Sequence, residues 1–337
     1  MKFSANFRTI GWLIRDTFRQ SLASGIFWVL LGISLVSIMV CLSAGVDNAA
    51  ALNEPGENPD FLPRTDPDAQ DPARVARSGV KVVSGEVTLA FGLLKVPLAR
   101  DARSSIHFLQ LILAAGVADT LGMLLTLVWT AGFVPGFLDP RSVTVLLAKP
   151  ASRSCLLLGK YLGVLSFVLV HAMLFVFGTW AALGLRTGIW DANYLYCVPL
   201  LLLHFAIFFS VSLLLAVCTR NTVVCVFGSV MFWLLCWGMN FGRHAVMTAA
   251  HTAPEGIFTA RLVDLANAGY WLLPKPADFG LLLFDSLGAG SHFQQWLDTA
   301  ALRQAGCLSI ELSILSSLAF TAYMLVAASR QFSTVDY

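Results

Sequence analysis

The chain has 337 residues, 57% of them hydrophobic and only 12% charged, against roughly 25% charged in an ordinary soluble domain. That balance excludes an ordinary soluble fold and points to one multi-helix membrane unit, with no nucleic-acid partner expected. The net charge of +2 decides little, because orientation in a bilayer depends on where Lys and Arg sit in the short loops.

The chain opens on NFRTIGWLIRDTFRQSL. At about 100° per residue, Phe7, Ile10, Ile14, Phe18 and Leu22 share one face, flanked by Arg8, Arg15 and Arg19. Arginines beside an apolar stripe can reach headgroups while the stripe dips into lipid, which predicts an interfacial amphipathic helix within residues 1–25. The run at 26–46 is long enough to cross about 30 Å of hydrocarbon and reads as the first span and an uncleaved anchor.

Residues 47–107 change character. ALNEPGENPDFLPRTDPDAQDPAR is rich in Pro, Asp and Asn and reads as solvated, irregular chain. VKVVSGEVTLAFG then alternates about a central Ser-Gly, so a short β-hairpin is expected over residues 80–91. Further apolar runs at 109–133, 161–183, 197–217, 223–241 and 306–327 bring the spans to six. CTRNT alone separates the fourth from the fifth, which forces a tight helical hairpin. In the 242–305 segment, YWLLPKPADFGLLLFDSL holds apolar stretches broken by Pro274 and Pro276, too short to cross, so interfacial or re-entrant helices are expected.

One side of this topology collects Lys2, Arg8, Arg15, Arg19, Arg141, Lys149, Arg153, Lys160, Arg220 and Arg330 against Asp16, Asp139 and Asp336. The positive-inside rule makes that side cytoplasmic, with both termini on it, in a multi-pass protein of the cytoplasmic membrane. The 47–107 loop is then extracytoplasmic. The fold class is an all-α integral membrane protein of six transmembrane helices, with an interfacial helix before them and a small outer loop.

The seven cysteines form no CxxC pair. Cys41, Cys218, Cys225 and Cys236 lie inside apolar runs and read as buried thiols. Cys197 and Cys307 fall near span ends on the outer side, which leaves a bridge between them open. No HExxH or GxSxG occurs, and His244 and His251 have no third ligand nearby, so neither a catalytic nor a metal site is expected.

The largest cytoplasmic connection, 134–160, contains PGFLDPRSVTVLLAKPASRSCLLLGK. Its apolar run at 143–148 is too short to span and ends at Lys149-Pro150, which predicts a short surface helix stopped by Pro150. Charge bias accounts for the cations but not for the apolar helix. An apolar segment ending LL-x-KP-x-SR, followed by GKYLG at the opening of the third span, resembles the membrane subunit of an ABC-2-type transporter. The Arg-rich helix before span one, the tight hairpin between spans four and five, and the interrupted outer segment before span six resemble that family's layout too.

The resemblance implies that residues 143–153 couple the spans to a separate ABC ATPase subunit, with Asp139, Arg141, Lys149, Pro150 and Arg153 as the coupling residues. It also implies a second permease copy or paralogue alongside, in contact with membrane lipid. No segment fits GxxxxGK[ST]: Gly159-Lys160 is followed by Tyr161 and lacks the upstream glycine. No cofactor is expected in this chain; ATP and Mg belong to the partner ATPase. Export is expected over import, since no segment resembles a docking site for a solute-binding protein.

Within the spans, an ionised Asp119 would cost about 2.5 to 3.5 kcal/mol if it met lipid, so it faces protein or water. Asp119, His171 and Glu311 are candidates for an intramembrane polar site, with His204 the fourth ionisable group in the spans. They either touch a transported group, pair with one another, or serve as hydrogen-bonding glue between helices. A membrane protein that does not transport, as an intramembrane enzyme or a scaffold for the outer loop, is the competing reading.

Overall fold

The computed structural model describes residues 2–47, 86–89, 94–97, 102–138, 152–252, 260–291, 302–303 and 306–334. Six helices are long and apolar enough to cross a membrane: Gly25–Ser43, Ser105–Phe137, Arg153–Thr187, Ala192–Thr219, Thr222–Ala249 and Ile310–Thr334. They match the six spans expected from the apolar runs. Because the spans alternate in direction, both termini and the 2–3 and 4–5 connections share one end of the bundle. The other connections share the opposite end.

Span three is longer than its apolar run. Its helix covers 35 residues, about 52 Å at 1.5 Å per residue, because Ser152 caps it by accepting a hydrogen bond from the Cys155 amide at 3.2 Å. Gly188, in the left-handed conformation at φ 75°, closes its other end. LLLGK therefore belongs to the span-three helix and not to the preceding connection. Lys160, expected in a cytoplasmic loop, is buried in that helix with 1% exposure.

The N-terminal helix, Lys2–Leu22, packs along span three. Its enclosed positions are Leu13, Thr17 and Ser21, so the expected lipid-facing stripe is rotated and in good part laid on protein. Two glycines in span three are the cause. A Cβ on Gly159 would stand 2.6 Å from Leu13 Cδ1, and one on Gly163 2.8 Å from Thr17 Oγ1, so bare backbone lets the helices close up. Trp12 and Leu22 stay exposed on the outer face.

Span two contains a π-helical stretch, Ile112–Gly122, between α-helical Ala102–Leu111 and Met123–Thr130. Thr120 Oγ1 donates five residues back to the Ala115 carbonyl at 2.9 Å, as the wider turn allows. Such insertions are rare and change which face each following side chain takes. Spans four and five are joined at Arg220, which adopts φ 53°, and Asn221, whose Oδ1 accepts from the Val223 amide at 2.8 Å.

Ahead of span six, Ala260–Leu272 and Pro276–Ser286 form two short helices around Pro274-Lys275-Pro276. At 13 and 11 residues, about 20 and 16 Å, neither can cross. They fold back as a hairpin against spans two, four, five and six, at the place where short interfacial or re-entrant helices were expected. Three short antiparallel strands stand near the end of span one: β1 Gly45–Asp47, β2 Glu86–Leu89 and β3 Leu94–Pro97, in the order β1-β2-β3. The expected hairpin about Ser84-Gly85 is thus displaced: β2 follows that dipeptide and pairs with β3 and with the chain leaving span one. Residues 80–85 and 90–93 lie outside the described residues.

Two clusters of buried apolar side chains fill the bundle. One, with Leu13, Trp129, Phe133, Phe167 and Phe332, lies toward the termini; the other, with Cys41, Tyr194, Cys197 and Leu287, lies toward the sheet. All seven cysteines are free, so Cys197 and Cys307 form no bridge.

Candidate functional site

Of the expected coupling residues, Asp139, Arg141, Lys149 and Pro150 lie outside the described residues, as does the apolar run at 143–148. Arg153, the first residue of span three, is described. Its Nη1 donates to the carbonyls of Phe332 at 3.4 Å and Ser333 at 3.3 Å. With a Ser329–Ser154 hydroxyl bond of 2.7 Å, this ties the start of span three to the end of span six.

One helical turn and more further in, Lys160 gathers three elements. Its ammonium donates to Gln20 Oε1 at 2.8 Å and stands 3.7 Å from Asp16 Oδ2, both on the N-terminal helix. It also lies 5.9 Å from the ring centroids of Phe133 and of Phe137, at the end of span two. Gly159 and Gly163 bring the N-terminal helix close enough for this contact. The Gly-Lys pair of GKYLG thus acts as a joint, which charge bias alone does not reveal.

The three intramembrane candidates do not meet. Asp119, in the π stretch of span two, pairs with His204 Nδ1 of span four at 2.5 Å, and the Phe279 ring of the re-entrant hairpin stacks on His204 at 5.2 Å. His171 of span three faces Ser34 of span one, Nε2 to Oγ 3.3 Å. Glu311 is exposed in the first turn of span six, where the positive end of the helix dipole favours a carboxylate. Ser34, Thr126 and His171 line a cavity of about 60 Å³ among spans one to four, whose other walls are mainly apolar. Helix-to-helix hydrogen bonding describes both pairs well.

A larger polar cluster, unforeseen in the sequence, lies where the re-entrant hairpin meets spans five and six. Asp278, 2% exposed, accepts from Tyr270 Oη at 2.5 Å, Ser313 Oγ at 2.6 Å and Asn240 Nδ2 at 3.1 Å. Tyr270 and Ser313 share Oδ2, and His244 Nε2 stands 3.2 Å from Oδ1, the oxygen that Asn240 reaches. Burial pushes the Asp278 carboxyl up, but His244, Ser313 and Tyr270 together outweigh that and hold it below the usual carboxylate range. Burial, with Asp278 beside it, raises the Tyr270 phenol, which keeps its proton and its role as donor.

Lys275, buried between the two prolines, donates to Ser316 Oγ at 2.6 Å and to the Leu273 carbonyl at 3.2 Å. Burial pulls its ammonium down to about 8, against the attraction of Asp278 and with further lowering from Arg243. Arg243 donates to Asn267 Oδ1 at 3.2 Å and to the Cys307 carbonyl at 2.9 Å. The signal in the sequence was PKPAD: two opposite charges, Lys275 and Asp278, inside an apolar segment, a combination that points to a functional site in a membrane protein. Among the described residues no group of three or more His, Cys, Asp or Glu could hold a metal ion.

Six helices able to span, a short hairpin before the last and a helix laid along the third make this a multi-pass membrane protein. The chain belongs to the ABC-2 family: the model described as "ABC-2 family transporter protein" matches residues 12–337. Comparison with curated proteins finds no match. The protein is accordingly the membrane permease of an ABC transporter, the transport component and not its catalytic one.

Proposed function

We propose that the chain is the permease subunit of an ATP-driven exporter, worked by a separate ABC ATPase that docks at the termini end of the bundle. That end is the cytoplasmic one in this reading, which the positive-inside bias supports, and the membrane is the cytoplasmic membrane. ATP and Mg are held by the partner, and a second permease copy or paralogue completes the pathway. Export is proposed over import because no segment of the sequence resembles a docking site for a solute-binding protein.

The observation that carries this reading is the joint at the start of span three. The expected docking segment, 143–153, runs directly into a helix tied to span six by Arg153 and to the N-terminal helix by Lys160. Span three also packs on spans one and four. A push on its first turn therefore reaches four other elements, two of them through directional bonds, and packed elements of this kind move as units. Asp139, Arg141, Lys149 and Pro150 are assigned to the ATPase contact, and the cavity with Ser34, Thr126 and His171 to the interior that such movement would reshape. Asp119, next to Ala118 of the cavity wall, is assigned to that interior with His171, while Glu311, exposed at the start of span six, lies apart from it.

Co-purification tests it. A tagged wild-type chain is expected to retain the ATPase encoded beside it, and Lys149→Glu with Arg153→Glu is expected to release it. Equal retention by the double variant, or no retention by wild type, removes the proposal and leaves the non-transport reading in its place.

A further inference from the structure

Charge does not balance in the hairpin cluster. Arg243 and Lys275 are both buried, at 4% and 1% exposure, and stand 4.2 and 4.8 Å from the centroid of one ring, Tyr270. The carboxylate acting on Lys275 is Asp278, whose two oxygens are already taken by Tyr270, Ser313, Asn240 and His244. Arg243 and Lys275 donate to neutral acceptors: Asn267, the Cys307 carbonyl, Ser316 and the Leu273 carbonyl. Arg243 Nη1, buried, has no acceptor among the described residues.

A buried guanidinium nitrogen without an acceptor is costly, and two buried cations facing one saturated carboxylate leave net positive charge in a poorly solvated site. We propose that this cluster binds an anionic group, a phosphate or carboxylate carried by a lipid headgroup or by a free solute, which accepts from Arg243 Nη1. The planar guanidinium suits such groups, since its donors are fixed in a fork that matches their oxygens. Lys275 supplies the second positive charge and, at about 8, remains charged at neutral pH. Leu265, Trp271 and Leu272 on the first hairpin helix are exposed apolar side chains, the surface against which acyl chains would lie. The inference stands apart from the transport reading and needs no ATPase.

The test uses the purified full-length chain in phosphatidylcholine nanodiscs, with unfolding followed by tryptophan fluorescence. One arm adds phosphatidylglycerol to the bilayer; the other adds inorganic phosphate to the buffer. At least one arm is expected to raise the melting midpoint by about 4 °C. Arg243→Gln is expected to cut that rise to under about 1 °C, while Arg261→Gln, an exposed arginine on the same hairpin, keeps it. A rise with phosphatidylglycerol alone assigns a headgroup, a rise with phosphate alone a free anion, and a rise with both an anion site that accepts either. No rise in either arm, or a rise that Arg243→Gln retains, overturns the proposal. If Arg243→Gln does not fold, Arg243→Lys replaces it: it keeps the charge but loses the fork, and retention of the full rise is then the overturning result.

Discussion

Lys160 and Asp278 are both buried ionisable groups, at opposite ends of the bundle, and they are compensated in different ways. Asp278 receives three hydrogen bonds, with His244 a fourth neighbour at 3.2 Å, and is 2% exposed. Lys160 has one neutral acceptor at 2.8 Å, and its nearest carboxylate, Asp16, is 3.7 Å away with its own side chain 48% exposed. A saturated network is rigid, because each member lost strands the others without partners. A buried charge whose counter-ion reaches water can be released at less cost, since Asp16 and Gln20 can rehydrate. The hairpin end is thus built as a lock and the termini end as a joint, which is the arrangement expected if movement enters at the termini.

Removing the lock should have the largest effect. Asp278→Ala leaves Tyr270, Ser313, Asn240 and His244 facing an apolar gap, and is expected to cost about 3–5 kcal/mol. Thermal unfolding of the detergent-solubilised protein would register it, and a loss under about 1 kcal/mol would show that the network carries little of the fold. The joint is next, attacked through its packing. Gly163→Val places methyls where a Cβ already meets Thr17 Oγ1 at 2.8 Å and the Ile14 Cα at 3.4 Å, and should cost about 1–3 kcal/mol by forcing the N-terminal helix outward. Gly238→Val, at a position where a Cβ meets nothing within 4 Å, is the control for any general effect of valine in a span.

Lys160→Met sharpens the contrast most directly. It keeps the aliphatic stem between Phe133 and Phe137 and removes the charge, so the stability change should stay under about 1.5 kcal/mol. In the reading proposed above, ATP-dependent transport should fall far more than stability does, because the N-terminal helix loses its bond to span three. A Lys160→Met variant as unstable as Asp278→Ala would end the distinction between joint and lock.

The six spans were legible because hydrocarbon thickness imposes a length that few other structures need, and apolar runs near 20 residues have little other use. The re-entrant hairpin was legible for the complementary reason: Pro274 and Pro276 cut its apolar stretches too short to cross. The start of span three was not, since Arg153 and Lys160 look like loop cations in sequence. Only the Ser152 cap and the close approach of Leu13 and Thr17 to two glycines show that the lysine is enclosed. Asp119 was expected to face protein or water, and whether it touched a transported group or paired with a histidine, and which one, was left open. The π stretch from Ile112 to Gly122 resets the face on which Asp119 emerges, and a 3.6-residue period carries no sign of it. The Asp278 cluster draws on spans five and six and on both hairpin helices, so PKPAD marks its place but no local pattern contains its partners.

The pH dependence tests the same contrast, and both groups of the cluster give it the same sign. For Lys275 the folded value, about 8, lies below the ordinary 10.5, so between them the unfolded chain binds more protons and stability must rise with pH. Below about 8 both states hold the proton and the full cost of burying the ammonium is felt. For Asp278 the folded value lies below 3.8: the unfolded chain again binds more protons in the interval, so its contribution is present above 3.8 and is lost as pH falls through the folded value. Between these windows neither group makes stability depend on pH. The melting midpoint of the wild type should therefore climb from pH 8 toward 10.5, and Lys275→Met should flatten that climb. A climb that survives in Lys275→Met would assign it to another group, and would mean that Lys275 is better compensated in the hairpin than its neutral partners Ser316 and Leu273 allow.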